Sequence, residues 1–309
     1  EARDLYESAL EIDPEFAPAW ARLGRVLRVQ AKYGHGDVEA DRKGAAAAFE
    51  KALALDPDLA VAHNYYAYYE IEELARPADA MRRLIEQARK APTDPDLFAG
   101  LVTACRFCGL LEPSVEADRR ARRLDPGMRT SVAYTHWMRA DYAAALRHDD
   151  EDMRWMHHYA RSLLGREAEA LEGLRACEAR VAPGIARDML TCSRATLERD
   201  DATALAAGRR VFDSGFNDPE GLYYMLRNMA YLGLVDVALE VFDRVVRGGL
   251  RCAASFRADP WLASLRPDAR YDAILLRAEA GHAEALAVYH DAGGEALLGR
   301  PAPDVTREA

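Results

Sequence analysis

A four-point pattern recurs in the first part of the chain: a small residue, a bulky one four positions on, another small one at seven, and a proline at twelve. It reads Ala2–Tyr6–Ala9–Pro14 and Ala45–Phe49–Ala52–Pro57, then more loosely Ala80–Leu84–Gln87–Pro92 and Ser114–Asp118–Ala121–Pro126. The prolines stand 43, 35 and 34 residues apart. Offsets of four and seven place side chains on one face of a helix, and proline cannot continue that helix. A unit of this length holds two helices and cannot bury its apolar face alone, so copies must stack on one another. The chain is therefore predicted to be all-α, a stack of helix pairs with a concave face built to hold something.

Charge narrows the partners. The net charge of −10 argues against nucleic acid and against anionic membranes, both of which need a positive footprint. No apolar run approaches the ~20 residues of a membrane span, and no signal peptide precedes the pattern, so a cytoplasmic location is expected. Residue 1 falls inside a repeat, and the chain reads as excised from a longer protein. The five cysteines are an odd number scattered through helical stretches, which suits reduced, buried thiols better than a disulfide framework.

After Pro14 the chain carries Trp20, Leu23 and Gly24 at the fourth, seventh and eighth positions of a unit, and the next two units place His63 with Tyr66 and Ala67, and Phe98 with Leu101, in those slots. This spacing resembles the tetratricopeptide repeat, whose first helix packs tightly on its second through these residues. Between Tyr33 and Gly44 lie about nine extra residues, read as a longer turn or an extended helix start. A fourth unit begins near Arg129, with Arg139-Ala140-Asp141-Tyr142 resembling the family's mid-repeat turn and a short second helix ending at Asp149-Asp150. Later units keep the grammar, as in Leu163-Leu164-Gly165 and Tyr231-Leu232-Gly233. The resemblance implies a right-handed solenoid over 1–255, with about seven pairs counting a partial first one. A C-terminal helical cap over 256–299 follows, anchored by Trp261 and Leu265 and including a helix near Ala269–Asp291. Residues 300–309 read as a disordered tail. The closing segment also resembles the ends of repeat regions in multidomain bacterial signalling proteins, which are joined to an upstream kinase, nucleotide cyclase or winged-helix domain.

Chemistry-bearing motifs are few. Cys105-Arg106-Phe107-Cys108 sits late in a helix with no second cysteine pair, so packing is expected rather than zinc or redox work. His136, His148, His157 and His158 lie near Asp149, Asp150, Glu151 and Asp152. Neighbouring positions on a helix diverge by about 100°, so His157 and His158 cannot easily share an ion. There is no nucleophile elbow, phosphate loop or dinucleotide fingerprint. No catalysis, metal or cofactor is expected in these residues. Arg119, Arg120, Arg122 and Arg123 fall on a second helix and read as a solvated convex face.

In the family that the chain resembles, ligands are held by first-helix residues lining the concave groove. Carried onto this sequence, those positions are Arg25, Arg28, Asn64, Tyr68, Thr103, Arg106, Phe107, Trp137, Trp155, Tyr159, Arg194, Tyr223, Arg227 and Tyr231. Arginine and aromatic side chains are what binding hot spots use. The family's Lys/Asn carboxylate clamp is missing, since its slots hold Ala21 with Arg25 and Asn64 with Tyr68. The expected function is non-catalytic capture of a protein or peptide segment, from another protein or from an upstream domain of its own. The alternatives are a small molecule held around Trp137, Trp155 and Tyr159, or self-association through the end repeats.

Overall fold

The computed structural model describes residues 2–148 and 154–301, apart from the side chains of Arg154 and Trp155. The described residues are helical, with no strand among them. A single helix, α1 (Ala2–Ile12), is followed by seven pairs: α2 (Ala17–Lys32) with α3 (Val38–Leu55), α4 (Ala60–Glu72) with α5 (Pro77–Lys90), α6 (Pro95–Phe107) with α7 (Leu111–Leu124), α8 (Val132–Met138) with α9 (Tyr142–Arg147), α10 (Arg154–Leu163) with α11 (Glu167–Arg180), α12 (Ile185–Leu197) with α13 (Asp201–Asp213), and α14 (Pro219–Tyr231) with α15 (Val235–Arg247). The chain then runs through α16 (Ala253–Ala258), a 3-10 segment (Pro260–Leu265), the long α17 (Ala269–Asp291) and α18 (Gly294–Leu298). Most helices pack chiefly on helices one or two places away in chain order, and α17 also packs on α5. None is long and apolar enough to cross a membrane, among the described residues.

The spacing read from the sequence has visible physical causes. In the first unit Trp20 Nε1 donates to the Pro14 carbonyl at 2.9 Å, and in the next the ring of His63 reaches the Pro57 carbonyl at 2.8 Å. The same slot thus makes the same tether six residues back, to the proline that stopped the preceding helix. Gly24 is required because a methyl there would sit 2.8 Å from the ring of Phe49, the bulky residue of the recurring pattern. The extra residues after Tyr33 go mostly into helix. Only residues 33–37 connect α2 to α3, and α3 has 18 residues. Asp149, Asp150, Glu151 and Asp152 lie outside the described residues, as do 302–309 of the expected tail.

Six of the seven pairs turn on one left-handed residue: Ala75, Gly109, Ala140, Gly165, Arg199 and Gly233, with φ between 54° and 76°. Such a turn lets the left-handed residue's own N–H and the next one satisfy carbonyls of the helix just ended, as Ala140 N to Trp137 O and Asp141 N to His136 O do at 2.9 Å. Glycine adopts this conformation freely, whereas a Cβ costs about 1 kcal/mol or more. Ala140 is exposed and its side chain gains nothing there. Ala140→Gly is therefore expected to raise stability by up to about 1 kcal/mol; a melting temperature no higher than the parent's would show that the turn stores no such strain.

The stack closes on its own C-terminal segment. Arg251 N donates to Phe107 O at 2.8 Å, Ser255 Oγ to Met138 O at 2.7 Å, and the His282 ring contacts Cys108 O at 2.8 Å. Arg89 and Arg120 donate to the carbonyls of Ala292 and Leu297, each at 3.2 Å. Residues 250–298 thus lie against helices α5 to α8, and α14 is carried into the interior. Trp261 and Leu265 are buried, as the sequence suggests for inward anchors, while Arg277 and Glu284 face outward.

Candidate functional site

The arginine and aromatic residues predicted to line a groove separate into three groups. Trp137, Tyr159, Tyr223, Arg227 and Tyr231 form the first, on α8, α10 and α14. Arg227 has no exposed surface, and its guanidinium lies between two indole rings, 4.5 Å from the centre of Trp137 and 4.4 Å from that of Trp261. Its charge is met by Asp259, which also accepts from Tyr223 Oη at 2.8 Å and caps the 3-10 segment through Trp261 N at 3.0 Å. Asn228 donates to Tyr159 Oη at 2.9 Å, Tyr231 stacks on Trp261 at 4.3 Å, and Arg199 lies over the Tyr231 ring at 4.1 Å. These residues hold the C-terminal segment to the stack. Arg227, Tyr223, Tyr159 and Trp137 are each at most 3% exposed, packed on one another and on Trp261 of the Pro260–Leu265 segment. The expectation of an open lining is corrected at these positions. The side chain of Trp155 lies outside the described residues.

Arg194 stands apart, half-buried on α12 and paired with Glu178 and Glu198.

The third group is Arg25, Arg28, Asn64, Tyr68, Thr103 and Arg106, and it surrounds empty space. Arg106, almost fully buried, forks onto Glu220 of α14 with Nε at 2.8 Å and Nη2 at 3.0 Å. Its remaining nitrogen donates to the backbone and hydroxyl of Ser131 at 3.1 and 3.0 Å. Thr103 links Tyr68 Oη at 3.0 Å to Ser131 Oγ at 2.9 Å. Arg28 pairs with Glu72 and lies 5.2 Å from the centre of the Tyr68 ring. Lys32 bridges Glu72 at 3.2 Å and Asp218 at 2.7 Å. Burial works against the Lys32 ammonium, but Asp218 and Glu72 keep its pKa well above the usual lysine value. Burial raises Glu220 above the usual carboxylate value even with Arg106 beside it.

Around these pairs lie two adjoining cavities. The inner chamber, about 470 Å³, is walled by Tyr33, Phe107, Phe216 and Tyr224 and by Val181, Met189 and Leu190, with Lys32, Glu72, Asp218, Arg106 and Glu220 along one side. The outer one, about 490 Å³, is lined by Arg25, Arg28, Arg129, Asn64, Asp96 and Tyr65 among others. Tyr68, Ser131 and Tyr134 belong to both walls. Sequence reasoning missed Lys32, Glu72, Ser131, Asp218, Glu220 and Asp259. The one available signal was that a buried arginine requires a buried carboxylate, and spacing alone does not say which.

The thiols and imidazoles offer no metal centre among the described residues. Cys105 and Cys108 are buried, and burial pushes the Cys108 thiol up to about 12, so the C-x-x-C pair is packing. Of the five cysteines only Cys177 is partly exposed; it lines the inner chamber 3.6 Å from His158 Nε2. Burial, together with Arg161 and His157, lowers the His158 pKa from 6.5 to about 4. The sign follows directly: His158 stays neutral in the fold while the unfolded chain takes up a proton. Stability on this account is full above pH 6.5 and declines as pH falls from 6.5 toward 4. His158→Gln is expected to flatten denaturant midpoints between about pH 6.5 and 5 by about 1–2 kcal/mol relative to the parent; parallel profiles would count against a neutral buried imidazole.

No protein-family model matches this chain, and no curated protein does either.

Proposed function

We propose that this chain is a non-catalytic binding module, a right-handed solenoid of tetratricopeptide-type helix pairs with a helical cap, acting as the regulatory region of a larger cytoplasmic bacterial signalling protein. Its ligand is a small molecule held in the inner chamber. One observation carries this reading: α14 fills much of the inner face, yet two cavities of about 470 and 490 Å³ remain beside it. Volumes of that size suit a ligand of a few tens of atoms, and a mostly apolar wall with a few fixed polar groups is what such sites share. Held between α2, α6, α12 and α14, a ligand would touch helices far apart in sequence, and its binding free energy would stabilise their association.

A protein segment laid along the inner face is the second reading. It retains Arg25, Asn64 and Tyr68 on the outer cavity, and it must displace Asp259 and Trp261 to reach Arg227.

The test is native mass spectrometry after exposure to the small-molecule fraction of a cell extract, alongside melting temperature. A bound compound and a higher melting temperature are expected, both lost in Ala186→Trp, which places bulk at an exposed position on the chamber wall. If only the macromolecular fraction stabilises the chain, the second reading replaces the first.

A further inference from the structure

A surface helix ordinarily turns charged side chains to water, as α5 does with Arg82, Glu86 and Arg89 and α7 with Arg119 and Arg123. The 23-residue α17 follows another pattern. Its inner face is buried through Tyr271, Ile274, Leu275, Ala278, Ala285 and Tyr289. Its outer face carries Ala269, Ala273, Leu276, Ala280, Ala283 and Ala287, all of them exposed, Leu276 by 64%. Steps of four, three, four, three and four place these six on one stripe along the helix, about 27 Å long. That is the spacing of a coiled-coil seam. Alanine at five of its six positions lets a second helix approach closely, with Leu276 as the one large side chain to interdigitate.

Small residues alone would fix no partner, but the charges along one edge of the stripe do. Arg270, Arg277, Glu284 and Asp291 follow one another at intervals of seven, all exposed, so the first half of that edge is cationic and the second half anionic. We propose that α17 pairs antiparallel with the α17 of a second copy of this chain, stripe on stripe, about a two-fold axis near Ala280. Turned end for end, the edge meets itself with Arg277 beside Glu284 of the copy and Arg270 beside Asp291 of the copy; a parallel pairing sets like charge against like. On the other edge Glu279 is paired with Arg257, leaving Asp272 toward one end of the contact.

Three of the four edge charges also have partners in their own chain. Arg270 reaches Asp236 and Asp268 at 2.7 Å, Arg277 is paired with Asp243, and Glu284 lies 3.9 Å from Arg251. Asp291 pairs with no cation among the described residues. Ion pairs this exposed contribute little, so the edge sets the direction of pairing while the stripe supplies the burial. A single pair of helices makes a contact at the small end of specific interfaces, and the net charge of −10 on each copy opposes it. A dimer with a dissociation constant of about 10–100 µM is expected.

Sedimentation equilibrium from about 5 to 500 µM brackets that value. The parent is expected to pass from monomer to dimer across the range. Leu276→Lys combined with Ala280→Lys should stay monomeric with an unchanged melting temperature, because both positions are exposed. If that double variant melts lower, Ala283→Lys alone should give the same loss of dimer. Orientation is read by disulfide cross-linking in a Cys177→Ser background, which removes the one partly exposed native thiol. Ala280→Cys, beside the axis, is expected to cross-link to its own copy. Ala269→Cys, about 34 Å from its counterpart in the antiparallel pair, is not. A parent that stays monomeric overturns the proposal and leaves the stripe to a helix of another protein. A dimer that survives the lysines overturns it too, since the contact then lies elsewhere. Cross-linking of Ala269→Cys as readily as Ala280→Cys would rule out the antiparallel arrangement.

Discussion

Arg227→Ala is expected to destabilise the fold by about 3–5 kcal/mol, among the largest effects available to a single substitution in this chain. The arginine is fully buried between Trp137 and Trp261, and its partner Asp259 is 5% exposed. Truncation strands the Asp259 carboxylate in the interior with only Tyr223 Oη and one backbone N–H to satisfy it. It also leaves a void between two indoles that lose their cation–π partner. The pair need not be strongly stabilising for this to hold, since breaking a buried pair costs far more than never having had one. The double variant Arg227→Met with Asp259→Leu is therefore expected to recover most of the loss. Urea unfolding of the three proteins decides the matter. If Arg227→Ala unfolds at the parent's midpoint, the residue is not structural and its place in a partner-binding groove must be reopened.

How much of this was legible in the sequence follows from which interactions are local. Helix stops at Pro14, Pro57, Pro92 and Pro126, the Gly24–Phe49 approach, and the turn residue at Ala140 are all set within one unit; spacing revealed the prolines, and the resemblance to the tetratricopeptide repeat pointed to Gly24 and to the turn around Ala140. The helix over Ala269–Asp291 was equally readable from its pattern. The inner face was not. Whether Arg106 and Arg227 face an open groove or a buried carboxylate depends on where residues 218–259 return to, which no repeat period encodes. Repetition describes how neighbouring units stack; it is silent about a chain that closes on itself. The same silence hid Lys32 and Asp218, 186 positions apart and joined at 2.7 Å. Burial of a long arginine on a first helix was the only hint, and it named the need for a carboxylate without naming which one.

That closure leads to the second large effect. Arg106→Ala is expected to cost about 3–5 kcal/mol at neutral pH, and less in acid. Arg106 is the only cation paired with Glu220 at hydrogen-bond distance among the described residues, and burial already pushes the Glu220 carboxyl upward despite it. Without the guanidinium the carboxyl rises further and is held protonated in the fold. The unfolded chain, by contrast, releases that proton near the ordinary glutamate value of about 4.3. A raised carboxyl pKa means that the folded state binds the extra proton. The variant's stability is therefore greatest below about pH 4.3 and is lost as pH rises through the folded value. The difference in unfolding free energy between parent and variant should then widen from acid toward neutral pH. Glu220→Gln in the Arg106→Ala background should narrow it again at neutral pH, because a neutral amide has no charge to desolvate. Denaturant titrations at a series of pH values measure the effect. A gap independent of pH would mean that Lys32, already close enough to lower Glu220, takes over the carboxylate, and the closure would then rest on the joined network of α2, α4, α6 and α14 rather than on one pair.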